Sequence, residues 1–218
     1  MAKGNVAVAH EDVFSGVKYG RLNGATELTT ALSALIPNHL TVNDVIFVCI
    51  GTDRSSGDSL GPLVGTFLRG IGYGNVVGTL DDPTHAVNLA ERVAGLPAGK
   101  TVIAIDACLG QSSSVGLLNA HKGAIKPGAG VGKTHLPEVG DYAISGVVNV
   151  GGFMEYFVLQ NTRLSVVMKL AKDITSALVN IFPLSGESRV VETEVIAIEP
   201  VKKKRGRPRK VKEALVTV

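Results

Sequence analysis

Apolar residues along this chain alternate between two spacings. Ala25–Ile36 (ATELTTALSALI) sets Leu28, Ala31, Leu32 and Leu35 on one helical face before Pro37-Asn38 stops it, which predicts an amphipathic helix. A β-forming run over 45–50 follows, then a turn crowded with Gly, Ser and Asp, and a helix over 60–70 closed by Gly70. The pattern next predicts a strand over 75–80, a helix opening at Asp82-Pro83-Thr84 and running to about Val93, and a strand over 101–106. Further strands are expected over 115–121 and 143–150. A helix is expected from about Phe153 to Val179, with Leu164, Val167, Met168, Ala171, Ile174 and Leu178 in one stripe. Apolar strands alternating with helices argue for an α/β chain whose mostly parallel, twisted sheet is covered on both faces.

The breaks in this pattern divide the chain. Residues 1–23 have no clear periodicity and are expected to form a loose arm. Residues 24–182 carry the alternating elements, 183–201 read as a linker and 202–218 as a basic tail. With 45% apolar and 19% charged residues, the length suits one compact domain with short appendages. No run approaches a membrane span, and the N-terminus lacks the basic-then-apolar order of a signal peptide. These features predict a cytoplasmic protein without a membrane partner. Cys49 and Cys108 are too few for a disulfide framework and lack zinc spacing.

The formal charge of +3 conceals an asymmetry. Lys202–Lys212 (KKKRGRPRKVK) holds eight Lys and Arg and no acid. Without it and Glu213, 14 basic residues face 18 acidic ones, so the remainder is about −4. The core Lys203, Lys204, Arg205, Gly206, Arg207, Pro208 and Arg209 looks like an AT-hook. Gly and Pro keep such a segment narrow, and its arginines suit the negative potential of narrow A·T-rich minor grooves. A·T-rich DNA is therefore an expected partner.

The candidate chemistry lies at two strand ends. The strand over 45–50 runs into GTDRSSGDSLGP, which holds Asp53 and Asp58; Thr101–Asp106 (TVIAID) closes on Asp106. Strand ends of one parallel sheet converge at its carboxyl edge, where open sheets bind ligands. Alone, Asp58 reads as a helix cap and Asp106 as the end of a strand. Together they suit acid–base hydrolysis, or serve as hard ligands for a cation. Cys108, two residues after Asp106, reads as a small buried apolar residue rather than a nucleophile. Gly128–Thr134 (GAGVGKT) is not a P-loop: Pro127 occupies the required glycine position and Leu136-Pro137 interrupts any following helix. The long loop 123–140 reads instead as a flap over a cleft.

CIGTDRSSGDSLGPLVG (49–65), THAVNL (84–89), AIDACLG (104–110), KPGAGVGK (126–133), LPEVGD (136–141) and GVVNVGGFMEYFVLQNTRL (146–164) together resemble the sporulation protein YyaC family of spore-forming bacteria, over roughly residues 24–180. That family is similar to the germination protease, which degrades the small acid-soluble proteins coating spore DNA, and more distantly to hydrogenase-maturation endopeptidases. The resemblance implies a three-layer α/β/α fold of the phosphorylase/hydrolase-like type. It implies Asp58 and Asp106 as the catalytic pair of an atypical aspartic-type peptidase; Asp53 of the same loop and His135 are candidate supporting residues, as is His85, which reads equally as a surface histidine at a helix start. It further implies a protein or peptide substrate such as the small acid-soluble spore proteins, and a place in the forespore or spore core near the nucleoid. No cofactor is expected. The alternative is a divalent metal, which hydrogenase-maturation enzymes hold with the two acids and an imidazole; His135 or His85 is the candidate here. The rival readings are a catalytically silent DNA-associated factor and a metal-dependent hydrolase. Oligomeric state is left open.

Overall fold

The computed structural model describes residues 18–128 and 136–185. Its elements are β1 (Lys18–Leu22), α1 (Gly24–Leu35), β2 (Val45–Cys49), α2 (Leu60–Ile71), β3 (Val76–Val77), α3 (Leu89–Ala94), β4 (Thr101–Gly110), β5 (Leu118–Lys122), β6 (Tyr142–Val150), α4 (Glu155–Gln160) and α5 (Leu164–Ile181). They build a six-stranded sheet in the order β1-β5-β6-β4-β2-β3. β3, β2, β4 and β6 pair in parallel, while β5 runs antiparallel to both β6 and β1. The α/β layering and mostly parallel sheet expected from the sequence are present.

β2 is buried throughout, and its two faces feed separate cores. Val45, Phe47 and Cys49 join the large cluster that includes residues of α1, α2 and α5. Ile46, Val48 and Ile50 join a smaller one with Leu89 of α3, Ala104 and Val139. Successive side chains point to opposite faces, so a strand covered on both sides reads as one unbroken apolar run. Phe47 anchors the larger core, meeting Tyr73 and Phe182 edge-on at centroid distances of 5.8 and 5.7 Å. The Tyr73 hydroxyl donates to the Phe182 carbonyl at 2.6 Å, pinning the end of α5.

Several elements differ from the sequence expectation. Lys18–Leu22, placed in the loose arm, forms an edge strand with Leu22 buried. Five residues are too few for a period to register, and their pairing partner lies about a hundred residues away. The strand expected over 75–80 shrinks to Val76–Val77 because Gly78 leaves the sheet at φ 96°. The helix expected from Asp82 begins only at Leu89; Thr84 instead bridges Ile50. β4 runs four residues past Asp106. The single helix expected over 153–179 is two. Asn149, at the end of β6, donates to the Val158 carbonyl at 3.3 Å and the Thr162 hydroxyl at 3.2 Å. That side-chain intrusion competes for the acceptors at the end of α4. The linker from 186 and the basic tail lie outside the described residues, as do 129–135 of the expected flap.

Candidate active site

The site grows from the place where β2 and β4 part. From β2 the chain moves outward to β3 through α2. From β4 it moves the other way, to β6 and β5. The two departing segments leave a crevice at the carboxyl edge, the switch-point position where open α/β sheets bind ligands. β2 pairs with β4 only as far as Cys49 opposite Ile105. Asp106 is thus the first β4 residue beyond that ladder, and the loop after β2 folds into the vacated space.

Glycines set how closely that loop approaches. Gly51 turns away from β2 at φ 140°, and a Cβ there would lie 2.0 Å from the Asp58 carbonyl oxygen. The same carbonyl accepts the Thr52 N–H at 3.0 Å. Asp58 sits in a 3₁₀ turn, Gly57–Ser59, directly before α2. It is not the cap residue. That position belongs to Ser59, whose hydroxyl donates to the Ser56 carbonyl at 2.7 Å. Pro62 falls in the first turn of α2, where a missing N–H costs no helical bond.

Asp58 and Asp106 line one cleft of about 650 Å³. Burial holds the Asp106 carboxyl well above the usual carboxylate range, and the negative charge of Asp58 raises it further. The Ala107 N–H, donating to Asp106 Oδ1 at 2.8 Å, opposes both. Desolvation and a like charge both disfavour ionisation, so the pair retains a proton at pH values where an exposed aspartate would have lost it.

The other sequence candidates divide. His85 lines the cleft. Its backbone N–H is held by Asn88 Oδ1 at 2.8 Å, and its Nδ1 accepts the Val87 N–H at 3.3 Å. A neutral ring so held carries its proton on Nε2. Contrary to expectation His85 is in the connection before α3, not in a helix. Asp53 is exposed, accepts the Thr52 hydroxyl at 3.4 Å and is not among the cleft-lining residues, so the structure separates it from the pair. His135 lies outside the described residues. Among the described residues no three of His, Cys, Asp and Glu converge in a way that could hold a metal ion. Ala124–Gly128 and Leu136, on either side of the undescribed part of the loop, line the cleft.

Sequence reasoning missed a polar floor. Asp106 pairs across β6 with Ser145, and Ser145 pairs with Asn119 of β5, whose amide donates to the Ser145 hydroxyl at 3.4 Å. His121, two residues further along β5, also lines the cleft. Burial lowers its pKa, with the Ala124 carbonyl at 3.4 Å from Nε2 opposing, which favours the neutral imidazole. The signal was the period of two in the strand, Asn119 and His121 sharing a face, but nothing local indicated that this face would border the cleft. Burial pushes the Cys108 thiol up; a bond with Ser145 opposes this and Asp106 adds to it. Cys108 therefore stays a thiol at neutral pH, which does not suit a nucleophile.

A family model described as "Protein of unknown function (DUF1256)" matches residues 17–177. The "Uncharacterized protein YyaC" of Bacillus subtilis (strain 168) is 47% identical over 181 residues, covering 81% of this chain and 87% of that protein. No solved structure matches the chain.

Proposed function

The chain belongs to the DUF1256 family, and on that premise we propose that it is a hydrolase of peptide bonds using Asp58 and Asp106 as a carboxylate pair. The observation that carries this reading is the raised pKa of Asp106 beside Asp58 in a cleft at the switch point of the sheet. With the proton on Asp106, Asp58 bears the negative charge of the pair. Asp58 then takes a proton from water as its oxygen attacks the scissile carbonyl, while protonated Asp106 donates to the carbonyl oxygen. As the tetrahedral intermediate collapses, Asp58 passes its proton to the leaving amine and Asp106 recovers its own from the oxygen. Ser145 and His121, which line the cleft, offer hydrogen bonds to the rest of the chain being cut, and Asn119 holds the Ser145 hydroxyl from behind.

The substrate class proposed from the resemblance is the small acid-soluble proteins of spores, in the context of sporulation and germination. The tail Lys203–Arg209 would hold the enzyme on A·T-rich DNA, raising its effective concentration near DNA-coating substrates. The test is cleavage of a purified small acid-soluble spore protein by wild type, Asp58→Asn and Asp106→Asn. Loss of about 10²–10⁴-fold in each variant is expected for removal of a general acid or base. Undiminished cleavage by both variants would refute the assignment. A folded wild type that cleaves nothing would return the pair to a structural role in a DNA-associated factor.

A further inference from the structure

Nine large apolar side chains are exposed among the described residues, and six of them fall between 150 and 164. Such clustering, unlike scattered exposure, marks an interaction surface. Phe153 is 80% exposed, Tyr156 60% and Phe157 53%, and the Tyr156 and Phe157 rings stack edge-on at 5.9 Å. α4, which carries the two stacked rings, buries none of its residues. Leu159 packs half-buried against the core, but Tyr156 and Phe157 lack the cover that ordinarily stabilises the apolar face of an amphipathic helix.

The patch continues into the cleft, because Tyr156 and Leu159 of α4 also line it. From a different segment of the chain, Val87 lines the same cleft and is 91% exposed. Apolar groups from two segments therefore flank the opening that leads to Asp58 and Asp106. Residues 150–164 contain one basic side chain, Arg163, and one acid, Glu155. A surface that settles on anionic lipid carries a dense basic girdle, whereas the basic groups here are Arg163 in this stretch and Arg54 and Lys126 at the cleft.

We infer that Phe153, Tyr156 and Phe157, with Val87, form a docking surface for an extended polypeptide bearing bulky apolar side chains, the segment that enters the cleft. The inference rests on the hydrolase reading and supplies its substrate class. A cleft of about 650 Å³ is the size of a small-ligand pocket, so a polypeptide presenting one bond to the carboxylates must lie across the rim. Aromatic anchors there gain contact at low entropic cost.

The test uses the full chain with Asp106→Asn, so that binding is read without turnover. The probes are a fluorescein-labelled synthetic peptide rich in Leu and Phe and a Ser/Gly peptide of equal length and charge, followed by anisotropy. Tight binding of the apolar peptide alone is expected, weakened about tenfold or more by Phe153→Ser with Phe157→Ser and, separately, by Val87→Ser. These side chains are mostly exposed, so the melting temperature should not move; Val87→Ser keeps the test open if the double variant does not fold. Equal binding of both peptides, or binding indifferent to these variants, would overturn the inference. So would a patch whose loss changes only self-association in sedimentation or only adsorption to lipid vesicles. Peptide binding without cleavage by wild type would sink the hydrolase reading and spare the docking surface; cleavage without apolar preference would do the reverse.

Discussion

Half-buried Asp106 combines desolvation with a neighbouring like charge, and this has a measurable consequence for folding. In the unfolded chain its carboxyl ionises near the ordinary value of 3.8; in the folded chain it holds its proton to higher pH. Between those two values the folded state binds more protons than the unfolded state, so stability falls as pH rises through that window. Asp106→Asn keeps the shape and removes the ionisation. It should melt at a higher temperature than wild type at neutral pH, with the difference vanishing as pH falls below the unfolded pKa. Each tenfold change in acidity corresponds to about 1.4 kcal/mol. Calorimetry against pH checks this, and equal melting at every pH would remove the premise of a retained proton. The same property predicts that cleavage declines on the alkaline side as the pair loses its proton. Of the residues named from sequence, Asp58, Asp106 and His85 meet at the cleft, and Asp53 does not. Of the two carboxylates in the turn GTDRSSGDSL the sequence already favoured Asp58, and the path from Gly51 into the 3₁₀ turn is what brings it, and not Asp53, to the cleft.

Among the elements, α2 bears most directly on the site, since Asp58 stands at its entrance. The helix lies against the sheet through bare backbone. A Cβ on Gly61 would fall 2.1 Å from the Ile50 carbonyl oxygen, and one on Gly65 1.8 Å from that of Gly78. Neither oxygen belongs to a flexible side chain that could yield. Gly65→Ala should therefore destabilise by about 1–3 kcal/mol or more through overpacking, read as a lower urea midpoint. It should also displace Asp58 and reduce cleavage. Unchanged stability would mean that α2 does not approach the sheet this closely. Elements with a strong local pattern, a helical period in α1 and α2 and an apolar run in β2 and β6, were legible along the chain. Those governed by distant partners were not. β1 exists because β5 accepts its pairing, and the break between α4 and α5 exists because Asn149 reaches into it.

For the molecule as a whole, an acidic domain and a basic tail predict separable behaviour. Binding of the full chain to A·T-rich duplex should weaken steeply with salt, each phosphate contact contributing about 0.9 to the logarithmic slope. Deleting Lys202–Lys212, with its eight basic residues, should flatten that slope by up to about 7. The deletion should also slow cleavage of DNA-bound substrate more than of free substrate; equal slowing would sink the tether. Among the described residues no helix is long and apolar enough to cross a membrane. The amino-acid sequence alone determined the α/β class, the apolar strands, the two acid-bearing segments and the charge asymmetry, because each is carried by neighbouring residues and their pattern; that β4 continues past Asp106 it did not determine. Only the tertiary structure decided that β2 and β4 part at the switch point, that Asp106 lies half-buried beside Asp58, and that Ser145 and His121 border the same cleft. Proximity, burial and the shifts in acidity they cause depend on strand order and register, which join residues tens of positions apart and leave no local pattern.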